Sequence, residues 1–460
     1  MSSEEVFLKD IVEFNPSYSL NKGEEYKYVE MAAIPEGVKE IDYFDIKKYK
    51  GGSRFKNGET LFARITPCLE NGKTAQVNVL EDNEVGFGST EFIVLRPTEP
   101  EVDKEFVYYL CRHPEFRLYA QARMEGTSGR QRVSWQSLEE YDRPLPNKNT
   151  RKEVGEFLKV FDDKIHLNQQ TNETLEAMAQ AIFKSWFVDF DPVRAKIEAT
   201  SAGRDPNRAA MAAIAGISLE NDWDETEAAL GQKLSRKSDK QRTHLRQTAE
   251  LFPDELVESE IGEVPKGWGI SEIGKEVNSV GGTTPRTKNP EYWDGGKIAW
   301  TTPKDLSNAN SKILLDTDRK ITDEGLDQIS SGLLPIDTVL MSSRAPVGYL
   351  ALAKIPVAIN QGYVAMICDQ VLTPEYVLHW TESNMDMIKQ HAGGSTFSEI
   401  SKRNFRPLPV LVPSEEVLNA YSEKVGSLYD LITANMKENI TLENLRDTLL
   451  PKLISGKVGV

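Results

Sequence analysis

At 460 residues the chain is longer than one hydrophobic core usually organises, so two or more domains of roughly 100 to 200 residues are expected. Its 39% hydrophobic and 27% charged residues suit a folded globular protein. No run of about 18 apolar residues offers a membrane span, and the acidic start MSSEEVFLKD lacks a leader's basic and apolar regions, so a cytoplasmic protein without a membrane partner is expected.

The formal net charge of −16 weighs against a nucleic-acid partner, because Lys and Arg supply most non-specific DNA affinity. Net charge averages over the whole surface, however. Local basic loops can bind phosphates while an acidic remainder repels DNA from the wrong faces. Cys68, Cys111 and Cys368 lie far apart, with no CxxC pair and no nearby His at ligand spacing, and are read as structural.

In chain order, residues 1–150 carry short β-like runs, TLFARI, TAQVNVL and EFIVLRP, among Gly, Pro and Asn turns, and read as a mixed α/β domain. Residues 151–187 switch to a helical pattern. There Leu158, Phe161, Ile165, Asn168, Asn172, Leu175, Ala179, Ile182 and Trp186 alternate steps of three and four, the a/d rhythm of a coiled coil. The connector 188–264 is polar and rich in Ala and charge, and reads as part helical, part flexible. Residues 265–412 return to the first plan with DTVLMSS, YLALAKI and YVAMICD. Residues 413–460 return to the helix, with Tyr421, Val425, Leu428, Ile432, Asn435, Asn439, Leu442, Leu449 and Leu453 on the seam and Arg446 breaking it.

The recurrence is literal in places. Arg143-Pro144-Leu145-Pro146 returns as Arg406-Pro407-Leu408-Pro409, and Asp163, Ile165, Asn168, Asn172, Thr174, Leu175 and Glu176 return in order as Asp430, Ile432, Asn435, Asn439, Thr441, Leu442 and Glu443. One shared motif is weak; seven further identities in register indicate duplication. Two unrelated amphipathic surface helices are the plainer alternative. Asn at equivalent core positions favours pairing, because a buried Asn fixes register at a cost in stability. The expected fold is α+β: two mixed α/β domains separated by two long helices that pair as an antiparallel coiled coil, with a pseudo-two-fold internal repeat. Ile165, Asn168, Asn172, Leu175 and Ile182 are expected to pair with Ile432, Asn435, Asn439, Leu442 and Leu449.

Enzymatic motifs are incomplete. Asn15-Pro16-Ser17-Tyr18 resembles the Asn-Pro-Pro-Tyr loop of adenine methyltransferases, but Ser17 replaces the second proline and no glycine-rich cofactor loop lies nearby, so a plain turn is preferred. Gly72-Lys73-Thr74 lacks the upstream glycine of a phosphate-binding loop, because position 67 is Pro. No HExxH or GxSxG occurs, and the five histidines are scattered.

Over essentially its whole length the chain resembles type I restriction-modification specificity subunits. Ser185 to Val193 (SWFVDFDPV) and Phe252 to Trp268 (FPDELVESEIGEVPKGW) look like the family's central spacer and second-domain entry. GGTTPRTKNPEYWDGGKIAWTTPKDLS and MSSRAPVGYLALAKIPVAINQGYVAM look like its second target-recognition domain; the first domain matches less, as expected where a family varies its target. The resemblance implies a subunit with no active site and no cofactor of its own. It would recognise double-stranded DNA at a bipartite target and assemble with two modification (methyltransferase) subunits and with restriction (translocase/nuclease) subunits, which would bring S-adenosylmethionine, ATP and Mg. The helices would be a ruler: a paired stretch of about 30 residues is roughly 45 Å long, on the order of 13 base pairs.

Base reading needs side chains with paired donors or acceptors on loops, and others to hold phosphates. In the first domain these are Arg64, Thr66 and Lys73 after TLFARI, Ser89 and Thr90 in GFGST, and Ser128, Arg130, Gln131 and Arg132 in GTSGRQRVSW. In the second, Arg344, Asn360, Gln361, Ser395, Thr396 and Ser398 are matched to them, and Thr284, Arg286, Thr287, Lys288, Thr302 and Lys304 form a further polar, partly basic set. Structural duty is the alternative for each. Trp293 and Trp300 are expected in the core. Two rival functions stay open: a self-contained DNA methyltransferase, and a coiled-coil scaffold that binds proteins only.

Overall fold

The computed structural model describes residues 5–127, 129–217, 222–307, 311–393 and 398–459. They fold as two compact units, Met1–Gln169 with Met436–Val460, and Gln170–Asn435.

In the first unit, Val12–Phe14, Phe92–Pro97, Thr60–Ala63 and Thr74–Gln76 form, in that order, an antiparallel sheet. Its central strands are almost wholly apolar because both faces are covered. Successive side chains alternate between faces. Phe62, Ile93 and Leu95 join Phe106, Tyr109 and Phe116 from the helices Pro100–Arg112 and Pro114–Ala122. Leu61, Phe92 and Val94 join Val29, Phe55 and Ala75 in a second core. There a second sheet runs Asp45–Lys48, Glu25–Val29, Gly86–Gly88, Ser53–Phe55, with Glu25–Val29 parallel to Gly86–Gly88. Both helices open on a proline at a position whose N–H has no intrahelical partner.

The second unit repeats this plan, with one strand more in the larger sheet and one fewer in the smaller. Asn278–Val280, Tyr363–Ile367, Val339–Ser342 and Leu350–Ala353 lie in the same order, extended by Ile313–Leu314. Arg319–Ile321, Ile298–Thr301 and Ala358–Ile359 form the smaller sheet, again with its parallel pair. Helices Pro374–Ser383 and Met385–Gln390 take the place of the first unit's pair. Where the first unit has the lone bridge Val6↔Leu145, the second has the antiparallel ladder Gly269–Glu272/Pro409–Val412.

The long helices are Lys148–Phe187 and Glu415–Ile454, 40 residues each. Within the first unit Asn168 Nδ2 donates to Asn439 Oδ1 at 2.8 Å, and Arg446 ion-pairs with Asp162. Within the second, Asn435 Nδ2 donates to Asn172 Oδ1 at 2.8 Å, and Phe187 packs on Tyr421 with ring centroids 5.0 Å apart. Numbers rise on one helix as they fall on the other, so each stretch is antiparallel.

Ile165, Asn168, Leu175, Ile432 and Asn439 are buried in the seam; Asn172, Ile182, Asn435, Leu442 and Leu449 are half-buried. The seam differs from expectation at four steps, where the neighbours Asp162, Phe183, Tyr429 and Leu450 are buried in place of Phe161, Ile182, Leu428 and Leu449. Arg446 does not break it. Asp162 supplies the opposite charge, so a cation only 3% exposed is accommodated, and Tyr109 Oη donates to the same carboxylate at 2.5 Å. At Gly155 an added Cβ would lie 2.8 Å from the backbone nitrogen of Phe106, so only glycine lets the first long helix approach Pro100–Arg112 this closely.

The connector is more regular than expected: Asp191–Ser201, Pro206–Ile214, Trp223–Ser235 and Asp239–Leu251 are helices, followed by the hairpin Leu256–Ser259/Gly262–Pro265. Asp205, Asp222 and Ser238 cap three of them. No helix among the described residues is long and apolar enough to cross a membrane.

Candidate nucleic-acid interface

In each domain a late loop is hydrogen-bonded onto the turn that leaves the central strand. In the first, Thr66 N–H donates to Gln131 O and Gln131 N–H to Thr66 Oγ1, both at 3.1 Å, and Val133 N–H donates to Arg64 O at 3.0 Å. Arg64 N–H in turn donates to Glu91 O at 3.0 Å. Arg132 forks onto Glu91, with Nη2 2.7 Å from Oε1 and Nε 3.0 Å from both oxygens, and Ser89 Oγ accepts from Glu91 N–H.

These bonds bring Arg64, Thr66, Ser89, Thr90, Gln131 and Arg132 together, with Thr90 and Arg130 exposed. Arg64 Nε is buried with no hydrogen-bond partner. Lys73 is drawn elsewhere, its ammonium donating to Met31 O at 3.1 Å.

The second domain builds the same junction. Ile400 N–H donates to Ser343 O at 3.0 Å, the counterpart of Val133 to Arg64, and Ser343 N–H donates to Gly362 O at 2.7 Å. The bridge Arg344↔Glu399 matches Ile65↔Arg132. Arg344 therefore corresponds to Ile65 and Ser343 to Arg64, which corrects the sequence matching by one residue. The clasp also changes sign: Glu399 stands where the first domain has Arg132, and it faces Arg344 at 3.9 Å.

Thr284 Oγ1 donates to Gln361 Oε1 at 2.7 Å, and Asn360 Oδ1 accepts from Gly362 N–H at 2.8 Å. Thr302 is occupied by Asp305, to which its N–H and hydroxyl donate at 2.7 and 2.9 Å. Arg286, Thr287, Lys288, Lys304, Gln361 and Ser398 are exposed. Ser128, Ser395 and Thr396 lie outside the described residues. Trp300 is buried as expected, whereas Trp293 is half-buried beneath Arg319, a residue the sequence did not single out. Glu91 and Glu399 were also missed; the 267-residue offset from Arg132 to Glu399, shared with the helix identities, was the available signal.

The Asn15 loop is bonded back onto its own domain. Asn15, at φ 49°, accepts from Val94 N–H through Oδ1 at 3.0 Å, and Tyr18 Oη donates to Glu59. Burial and Glu59 push the Tyr18 hydroxyl up to about 12. The Asn15 side-chain oxygen and the Tyr18 hydroxyl are thus engaged by their own domain.

Among the described residues Glu176, His379 and Glu382 form the one group with metal-ligand spacing. Lys312 already sits between the carboxylates, 2.8 Å from Glu176 Oε1 and 2.6 Å from Glu382 Oε1. Tyr429 Oη, 3.0 Å from His379 Nε2, donates to Glu176 at 3.0 Å. Burial raises the Glu382 pKa, but the hydrogen bonds from His379 and Lys312 outweigh it and hold the carboxyl below its ordinary value. With an ammonium as its cation, the cluster ties the second domain to both long helices.

Residues 2–177 and 265–444 each match the family model described as type I restriction modification DNA specificity domain, and 178–264 fall between the matches. The type I restriction enzyme HindI specificity subunit of Haemophilus influenzae is 31% identical over 413 residues, covering 88% of this chain and 87% of its own length. The MjaIX specificity subunit of Methanocaldococcus jannaschii is 37% identical over 194 residues, 42% of this chain and 44% of its own. The EcoR124I/EcoR124II specificity subunit of Escherichia coli is 30% identical over 203 residues, 42% and 48% respectively.

Proposed function

Because the chain belongs to the type I restriction-modification DNA specificity family, we propose that each of its mixed domains reads one half of a bipartite double-stranded DNA target, without itself cutting or modifying the DNA. The observation that carries this reading is the repeated junction: one strand order and one set of backbone bonds, presenting different side chains in each copy. A constant frame with variable loops is what two independent sequence readings require.

Arg130 and Thr90 in one domain, and Arg344 and Gln361 in the other, are the groups offered to base edges; Arg286, Lys288 and Lys304 suit phosphates. The chemistry would come from partners. Two modification subunits would hold S-adenosylmethionine, and restriction subunits would use ATP and Mg, with the long helices as their scaffold. The engagement of Asn15 and Tyr18 by their own domain supports this over a self-contained methyltransferase.

Methylation sequencing of cells expressing this chain with a cognate modification subunit tests the proposal. Methylated adenines in a split motif, absent with the modification subunit alone, are expected. A confirmed complex that creates no new motif would instead favour a scaffold that binds proteins only.

A further inference from the structure

The smaller sheet of the second domain carries an arginine in an unusual setting. The Arg319 guanidinium lies 3.5 Å from the centroid of the Trp293 ring and 5.4 Å from that of Trp300. The platform is fixed: Trp293 meets Trp300 edge-on at 5.1 Å and 85°, Trp293 Nε1–H donates to Arg286 O at 3.1 Å, and Trp300 Nε1–H to Thr283 O at 3.4 Å. Thr283 and Arg286 flank Thr284, which bonds Gln361, so this platform continues the recognition junction. Arg319 is exposed and has no ion pair or side-chain hydrogen bond among the described residues.

The first domain has a related pair on its equivalent sheet. Lys47, on the strand corresponding to Arg319–Ile321, lies 4.2 Å over Tyr28, the counterpart of Trp300 in strand register. That lysine also meets Asp45 at 2.8 Å, so its charge is partly engaged; Arg319 has no such carboxylate.

An arginine held 3.5 Å over an indole ring has its rotamer freedom already reduced, while the donors it turns away from the ring stay free. Two parallel donors held this way match the O6 and N7 acceptors of guanine in the major groove. We propose that Arg319 is a specificity-determining residue of the second domain, reading a guanine of the second half-site, with Trp293 as its positioning residue. The inference rests on the DNA-reading function proposed above.

The test uses the complex with the modification subunit, once the wild-type methylated motif is known. Binding to duplexes carrying each base at every target position is measured for wild type, Arg319→Gln, Arg319→Lys and Trp293→Phe, over a range of salt. Discrimination at one G·C pair of the second half-site should fall about 5- to 150-fold in Arg319→Gln and nearly as far in Arg319→Lys, which keeps the charge but loses the fork. Trp293→Phe should fall between them and wild type, and thermal melting should be unchanged.

Uniform weakening with an intact motif and a salt slope reduced by about one would make Arg319 a phosphate contact and overturn the proposal. Unchanged discrimination together with a lowered melting temperature would make it structural, with the same consequence. A wild-type complex that yields no motif would refute the DNA-reading function itself, and this inference with it.

Discussion

Arg132 of the first domain and Glu399 of the second occupy the same place in the fold with opposite charge. One grips Glu91 and the other faces Arg344, yet the backbone bonds around them are the same. The helix seam divides similarly. Near the first domain it buries the Asp162–Arg446 pair, and near the second the rings of Phe183, Trp186, Phe187 and Tyr421. Backbone ladders and apolar layers are what the duplication retained, whereas charges near loops and seams were free to be exchanged in pairs.

The largest effects should separate the two seams. Arg446→Met leaves Asp162 charged and buried without its partner, at a cost of about 3 to 5 kcal/mol. Hydrogen exchange should rise in residues 5–169 and remain unchanged around Phe183 and Tyr421. Adding Asp162→Leu should recover most of the loss, because an apolar pair replaces an ionic one. Phe183→Ala should cost a comparable 3 to 5 kcal/mol, about what truncating a buried ring costs, with exchange rising in the second unit instead.

A smaller effect should come with acid. The folded-state pKa of Glu382 is depressed, so its contribution is present above the unfolded value of about 4.3 and is lost as pH falls through the folded value. Acid melts should therefore show the second unit losing protection below pH of about 4.3, and Glu382→Gln should flatten that dependence. The smallest stability effect belongs to the clasps. Glu91→Gln should change stability by less than about 1 kcal/mol because Arg132 is partly exposed. It should still loosen base preference in the first half-site alone, as Glu399→Gln should in the second, both read by methylation sequencing.

The repeat, the long helices and most of their seam were legible because period and recurrence survive in one dimension. Arg446 was misread because its partner Asp162 lies far away in sequence, and no helical pattern announces an ion pair across two helices. The connector's helices were obscured by their polar, Ala-rich sequence, although Asp205, Asp222 and Ser238 stood at their caps. In the site, loop residues next to glycines were found, but Glu91, Glu399 and Arg319 were not. Their roles depend on which strands become neighbours, and sequence spacing does not report that.

The central claim, that two copies of one frame read two separate half-sites, is tested most directly by paired methylation sequencing. Arg130→Ala and Arg344→Ala are each expressed with the modification subunit and compared with wild type. The account predicts that one variant relaxes one half of the split motif and the other variant the opposite half, with the spacing between halves unchanged. Relaxation of the same half by both variants would contradict it.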